Sequence, residues 1–73
     1  MGDDFSQTVA ANLRAARAKA GKRQEDVKDE TGISVNSIGN WESGKNLPRV
    51  DSLLKVAECY GCSLDSLIGR ADR

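Results

Sequence analysis

The sequence predicts an all-α fold built from five short helices. Apolar residues recur every three or four positions along the chain, which is the spacing of one helix face. Five of the seven glycines each follow such a segment, and glycine is favoured just past a helix end because it adopts positive φ without a steric penalty. No segment is identified as a strand. The helix-ending glycines are Gly21, Gly32, Gly44, Gly61 and Gly69.

The first two helices are predicted over about Ser6 to Ala20 and Gln24 to Thr31. Helix 2 has Val27 as its main apolar anchor. Its first turn carries Glu25 and Asp26, where negative charge is favourable beside the helix dipole. Helix 1 has an inward stripe of residues spaced by three and four, namely Val9, Leu13, Ala16 and Ala20.

Helix 3 is predicted to begin after Ser34, a favourable N-cap, and to end near Glu42. Helix 4 follows Pro48 and ends near Tyr60, and a short helix 5 begins after the cap Ser63. The inward residues are Ile38 and Trp41 on helix 3, Val50, Leu53, Val56, Ala57 and Tyr60 on helix 4, and Leu64, Leu67 and Ile68 on helix 5. The first five residues and the last four are expected to fray.

The length of 73 residues leaves room for a single domain, residues 1–73, with an ordered core of about 6–69. The composition, 38% hydrophobic and 30% charged, is ordinary for a soluble globular domain. No apolar run is long enough to cross a bilayer, and the N-terminus lacks the basic and apolar regions of a signal peptide. We therefore expect a cytoplasmic protein. No effector domain fits in this length, so any regulation is expected to come from a separate region or a partner.

Charge is unevenly distributed, although 11 basic and 11 acidic residues give a formal net charge of zero. The segment Arg14 to Arg23 holds five basic and no acidic residues, whereas Gln24 to Glu30 holds four acidic residues and one lysine. Zero net charge counts against a nucleic-acid partner, but local clusters determine which surface attracts phosphate. A solvated helix end and a phosphate-binding patch both fit the basic cluster.

Two cysteines, Cys59 and Cys62, form a lone C-x-x-C motif. A thioredoxin-like redox site would need a βαβ setting. A zinc site would need four ligands, whereas the chain has no histidine and no second cysteine pair. We interpret both as reduced packing residues, because free cysteine behaves as a small hydrophobe. We predict no metal site and no cofactor, and the carboxylates of helix 2 fit a surface rather than a catalytic site, so no enzyme activity is expected.

Helices 2 and 3, with the glycine between them, have the layout of a helix-turn-helix. Gly32 provides the positive φ for the sharp turn, and Ile33 fills the space between the helices. Val35, Asn36 and Asn40 are then left pointing outward. Such groups suit base contacts in a DNA major groove, since asparagine can bond adenine bidentately and valine can contact a thymine methyl. Taken alone, the two asparagines fit a solvated helix face equally well.

Five segments carry a further signal: LRAAR (13–17), QEDV (24–27), TGIS (31–34), SIGNWESGKNLP (37–48) and VDSLLKVAECYGCSLDSLIG (50–69). Together they resemble the phage-repressor and Cro type of helix-turn-helix domain, the Xre family, over roughly residues 8–69. The WESGK piece followed by proline is the most specific part. The resemblance implies a compact five-helix, lambda-repressor-like domain that binds operator DNA, usually as a dimer.

The resemblance also implies roles for single residues. Val35, Asn36 and Asn40 would contact bases, and Arg17 and Glu42 would form a structural salt bridge between helices 1 and 3. Phosphates would be contacted by Gln24 with the start of helix 2, by Ser37, Ser43, Lys45 and Asn46 around the end of helix 3, and by Lys22 and Arg23 beside the end of helix 1.

The chain departs from the family pattern at four positions. Lys28 stands where a small residue is usual, and its charge is expected to reach water. Arg23 and Arg49 replace helix caps, and losing a cap costs about 1 kcal/mol. Gly39, in the middle of helix 3, costs roughly 1 kcal/mol relative to alanine. It also removes one base contact, so we expect modest specificity or a reliance on DNA shape.

These observations predict a sequence-specific regulator of transcription that binds double-stranded DNA, of the repressor kind, as a homodimer on a palindromic operator. The pairing surface is expected in the loop Asn46 to Arg49 and on helix 5, including Leu64 and Ile68. Zero net charge and the acidic helix 2 favour an alternative, a protein-interaction module of the antitoxin or adaptor kind on the same scaffold. A redox or metal protein using the cysteines is the weakest hypothesis, and no membrane or small-molecule substrate is expected as a partner.

Overall fold

Five helices joined by short turns make up the chain. The computed structural model describes residues 2–69, and the side chains of residues 5–69. The helices are α1 (Gly2–Ala20), α2 (Gln24–Thr31), α3 (Val35–Glu42), α4 (Val50–Tyr60) and α5 (Leu64–Ile68). No strand occurs between residues 2 and 69, so the predicted all-α class and its five helices are confirmed. Residue 1 and residues 70–73, which belong to the termini predicted to fray, lie outside the described residues.

The first helix is longer than predicted. It begins at Gly2, four residues before the predicted start at Ser6. Between residues 3 and 6 the sequence contains neither glycine nor proline, and no other residue type stops a helix so strongly. All five predicted helix-ending glycines have positive φ, between 71° and 84°. At Gly32 this conformation makes the α2–α3 turn, and its N–H donates to the Lys28 carbonyl at 2.8 Å.

The core lies where α1 packs against α3, α4 and α5, while α2 packs against α3 and α4. Burying a Leu, Ile or Val side chain stabilises a fold by about 1.5–3 kcal/mol. The buried apolar residues are Val9, Ala10, Leu13, Val27, Ile38, Leu53, Val56, Ala57, Tyr60 and Leu67. The partly buried ones packed against them are Ala16, Ala20, Ile33, Trp41, Cys59, Cys62, Leu64 and Ile68.

One predicted core residue is on the surface. Val50 was expected on the inward face of α4, but 68% of its surface is exposed. It is the first residue of the helix, and Arg49 and Asp51 on either side are also exposed, so this turn lies beyond the edge of the core. Leu47 and Leu54 are exposed as well, at 45% and 47%. The start of α4 therefore presents apolar side chains to solvent.

The helix caps follow the sequence closely. Ser34 and Ser63 accept hydrogen bonds at 3.1 Å from the backbone N–H three residues later, as predicted. Arg23 and Arg49 provide no side-chain cap for α2 and α4. In α2 the loss is partly compensated, because Asp26 accepts a hydrogen bond from the Arg23 backbone N–H at 2.9 Å, which is one half of a capping box. This bond lowers the pKa of Asp26.

Candidate nucleic-acid interface

The second helix of the helix-turn-helix, α3, has a buried back and an open front. On the back, Ile38 and Glu42 lie one turn apart and are exposed by only 1% and 6%. On the front, Asn36 is exposed and Asn40 is half-buried, and Val35 is half-buried as well. Asn36 and Asn40, four residues apart, therefore share one side of α3, whereas Val35 lies in its first turn at the spacing of the buried residues Ile38 and Glu42.

Glu42 is the single buried charged residue in the described range, and three hydrogen bonds hold its carboxylate. Arg17 donates twice, from Nε to Oε2 at 2.6 Å and from Nη2 to Oε1 at 3.0 Å. Gln24 donates from Nε2 to Oε1 at 3.0 Å. The hydrogen bonds to Glu42 raise the pKa of Arg17. Together they join α1, the start of α2 and the end of α3, because each helix supplies one partner.

Four of the residues predicted to contact phosphate lie on α3 or just after it. Ser37 is half-buried, and its hydroxyl oxygen accepts from the N-cap serine of α3 at 3.1 Å. The Ser43 hydroxyl donates to the Asn40 carbonyl at 3.1 Å. Lys45 and Asn46 are exposed, and their backbone N–H groups donate to the same carbonyl at 2.9 and 3.4 Å. Ser43, Lys45 and Asn46 therefore follow the end of α3, whereas Ser37 lies in its first turn.

The other three predicted phosphate contacts already have partners within the chain. The Gln24 amide donates to the buried carboxylate described above. The Lys22 ammonium lies 2.7 and 2.8 Å from the two carboxylate oxygens of Glu30. Arg23 Nε lies 3.7 Å from Oδ2 of Asp26, and 83% of the arginine side chain is exposed. A phosphate at these positions would have to share or displace the existing partners.

Two α1 residues contact the end of α3 and were given no role from the sequence. Arg14 donates from Nη1 to the backbone carbonyl of Glu42. The Gln7 side chain lies so close to Gly44 that a Cβ atom there would collide with it. The spacing of Arg14 and Arg17, three residues apart on one helix, could have indicated that both reach the same neighbour.

The cysteines lie away from this surface, at the end of α4. Both are free thiols and both pack against the core. The Cys59 thiol donates to Glu30 Oε1 at 3.3 Å. Burial raises the pKa of the Cys59 thiol, so the reactive thiolate is disfavoured at neutral pH. The geometry gives no support to a redox role.

Comparison with known protein families identifies the family to which this helix-turn-helix belongs. A helix-turn-helix family model, HTH_3, matches residues 13–67, which include α2, α3 and α4 in full. The chain belongs to the Xre-type helix-turn-helix family. The family resemblance predicted from the sequence is thereby confirmed, and it covers the elements that build both the buried back and the open front of α3.

Several curated proteins are similar to this Xre-type domain. It is 37% identical over 62 residues to the cryptic phage CTXphi transcriptional repressor RstR of Vibrio cholerae, covering 85% of the domain and 55% of RstR. It is 33% identical over 63 residues to the HTH-type transcriptional regulator ImmR of Bacillus subtilis, covering 86% of the domain and 50% of ImmR. The chain thus spans about half the length of these relatives. No solved structure matches it at a significant level.

The Xre-type domain contains no membrane-crossing element in its described part. Within residues 2–69, none of the helices combines the length and the apolar character needed to span a bilayer.

Proposed function

We propose that this domain binds double-stranded DNA and regulates transcription, with α3 inserted in the major groove. The observation that carries the proposal is the arrangement of α3, whose front presents Asn36 and Asn40 and whose first turn carries the half-buried Val35, while its back is fixed by Ile38 and Glu42. A major groove about 12 Å wide admits an α-helix. A helix anchored from behind can enter that groove without losing its packing.

The front of α3 suits contacts to A·T base pairs. The backbone carbonyl of Asn40 accepts hydrogen bonds from the turn that follows α3, and its side-chain amide would contact DNA. The amides of Asn36 and Asn40 can each bond the N6 and N7 atoms of adenine, and Val35 can pack on a thymine methyl. Gly39 lies between them without a side chain, so part of the selectivity is assigned to DNA shape.

Phosphate contacts would flank the helix. Ser43, Lys45 and Asn46 are the exposed candidates at its C-terminal end, and Ser37 is a half-buried candidate in its first turn. At the start of α2, Gln24 would bond phosphate with the helix N-terminus. Lys22 and Arg23 would add contacts by exchanging a carboxylate partner for phosphate.

The relatives support a role in repression. RstR is named a transcriptional repressor and ImmR a transcriptional regulator, and both align with most of this chain. The aligned region includes the helix-turn-helix. We therefore assign the domain to a regulator of the repressor kind.

Two copies would bind a palindromic operator and place their α3 helices in successive major grooves, about 34 Å apart. The pairing surface that fits best is the apolar strip formed by Leu47, Val50 and Leu54, all exposed. Val50 and Leu54 are four residues apart and share one face of α4. By contrast, Leu64 and Ile68 of α5 already pack partly against the core, which shifts the expected interface from α5 to α4.

The pairing is tested by sedimentation with and without operator DNA. Leu54→Glu should abolish cooperative binding to a two-half-site operator and leave binding to a single half-site unchanged. Lys55→Glu, the next residue along the same exposed stretch of α4, is the control. Equal cooperativity in wild type and Leu54→Glu would contradict pairing through this strip.

DNA binding itself is tested by titrating labelled DNA at several salt concentrations. The logarithm of affinity should fall linearly with the logarithm of salt concentration. Asn40→Ala should lose about 1–3 kcal/mol of discrimination on the preferred sequence only. Asn46→Ala, the same substitution at a predicted phosphate contact, should weaken binding on every sequence alike. The preferred sequence itself is obtained by selection from random DNA.

A protein-interaction module is the second candidate, because acidic residues dominate the outer face of α2. Glu25, Asp29 and Glu30 are exposed there, α3 has no basic residue, and the net charge is zero. Absence of DNA binding even at low salt would support this candidate and overturn the first.

A further inference from the structure

The last four backbone carbonyls of α3 all accept hydrogen bonds. Three donors come from the turn that follows the helix, and the fourth is a side chain of another helix. The last carbonyls of a helix have no partner within it. In α3, the Gly39 carbonyl accepts from Ser43 N at 3.0 Å and the Trp41 carbonyl from Gly44 N at 3.2 Å. The Asn40 carbonyl accepts from Lys45 N at 2.9 Å. The carbonyl of Glu42 is the remaining one, and its donor is a side chain of α1.

That donor is Arg14, through Nη1. The contact places a positive charge at the negative end of the α3 dipole, where cations are favourable. A second contact lies about two helical turns earlier on α1, where Gln7 packs against the backbone at Gly44. Helix α1 therefore holds both the last residue of α3 and the turn that follows it.

The geometry points to Arg14 as a positioning residue for DNA binding. It fixes the turn 43–46 that carries Ser43, Lys45 and Asn46, and it acts through the Glu42 carbonyl without touching DNA. The inference rests on the proposed function, in which this turn contacts phosphates. A phosphate contact requires donors within hydrogen-bond distance. If the turn loses its anchor, a smaller fraction of the molecules has these donors in the binding position, and the affinity for DNA falls.

Arg14 is set apart from the other basic residues of its cluster by this partner. Arg17 pairs with a buried carboxylate and donates to the nearby Lys22 carbonyl at 3.0 Å, and Lys22 pairs with an exposed carboxylate. Arg14 instead donates to the backbone of another helix, at the Glu42 carbonyl of α3. The guanidinium is thereby directed toward α3.

The experiment compares Arg14→Met and Arg14→Lys with wild type in DNA titrations at several salt concentrations. Lys19→Met removes the same charge from an exposed position on the same helix and is the control. A charge-assisted hydrogen bond of typical strength corresponds to about a tenfold effect, so Arg14→Met should bind about tenfold more weakly than Lys19→Met. The salt slopes of the two Met variants should be equal. Arg14→Lys, which keeps a donor and the charge, should recover part of the loss.

A second measurement needs no DNA. The Lys45 amide, bonded to the Asn40 carbonyl at 2.9 Å, should exchange its hydrogen faster in Arg14→Met than in Lys19→Met or wild type. Unchanged exchange overturns the anchoring role even if the wild type binds DNA well. A salt slope smaller by about 0.9 in Arg14→Met alone would instead identify a direct phosphate contact and would also overturn the inference. If the wild type binds no DNA, faster exchange still supports the anchor and the failure belongs to the proposed function.

Discussion

The back and the front of α3 differ in how tightly they are held. On the back, Glu42 is bonded through both its carboxylate and its carbonyl to side chains of α1 and α2. On the front, Asn36 is exposed and Asn40 is half-buried. Both faces belong to the same eight-residue helix. The difference in how tightly they are held therefore comes from the neighbouring helices, whose side chains bond Glu42 on the back.

The contrast separates stability from recognition. A side chain that fixes the back contributes to the free energy of unfolding and acts on DNA only through the position of the helix. Under the proposed function, a side chain on the front contributes little to that free energy and contacts DNA directly. Substitutions on the back should therefore lower the free energy of unfolding, whereas substitutions on the front should change DNA affinity with little loss of stability.

The largest effect is expected for Glu42→Ala. Removing one partner of a buried ion pair costs about 3–5 kcal/mol, and because Arg17 keeps 23% of its side chain exposed, we expect about 3 kcal/mol. For a domain this small that is a large share of the total stability. Urea unfolding measures the loss.

The control for this change is Glu58→Ala, which removes an exposed glutamate from α4. Its unfolding free energy should stay within about 0.5 kcal/mol of wild type. Similar losses for the two variants would contradict the view that the Glu42 carboxylate holds the back of α3.

On the front of α3, Gly39→Ala should have the opposite effect on the free energy of unfolding. A Cβ atom at Gly39 would meet no other atom within 4 Å, and alanine is better than glycine in a helix by about 1 kcal/mol. The variant should therefore be more stable in urea. If this face enters the groove, the added methyl should weaken DNA binding despite the gain in stability.

Gly61→Ala is the matched control, because a Cβ there also meets no atom within 4 Å but the residue has φ of 71°. A left-handed conformation costs a non-glycine residue roughly 1–2 kcal/mol. This variant should be less stable than wild type. A destabilised Gly39→Ala would contradict the open front.

The sequence predicts the helices well because their signals are local. A glycine just past each helix and a serine cap before α3 and α5 depend on neighbouring residues only, and the structure has them where they are expected. The inward face of each helix follows equally from the spacing of apolar residues. Val50 shows the limit, since spacing gives the direction of a face and not the point at which the core ends.

The candidate site is predicted less completely, because its supports are distant in sequence. The sequence offers Val35, Asn36 and Asn40 as candidate base contacts because they occupy the predicted outward positions of one short helix, and this role stays a prediction. The bond from Arg14 to the Glu42 carbonyl spans 28 positions, and that from Gln24 to its carboxylate spans 18. No local pattern specifies such pairs, because they depend on how α1, α2 and α3 pack.

The smallest effect concerns an ion pair on the surface, which contrasts with the buried one behind α3. The Lys22 hydrogen bonds hold the pKa of Glu30 below its ordinary value of 4.5 and Glu30 raises the pKa of Lys22 above 10.5. A depressed carboxyl pKa stabilises the fold above pH 4.5 and the contribution is lost as the pH falls below it. A raised lysine pKa stabilises it below pH 10.5 and is lost above.

Glu30→Gln should therefore lower the urea midpoint slightly at neutral pH and converge with wild type as the pH falls below 4.5 and the wild-type carboxyl becomes protonated. Glu58→Gln, an exposed change on α4, controls for the loss of one surface carboxylate. A difference for Glu30→Gln that persists in acid would show that the pair acts through packing and not through charge. Because 47% of the Glu30 side chain is exposed, against 7% for Glu42, solvent screening should keep the shift well below that of Glu42→Ala.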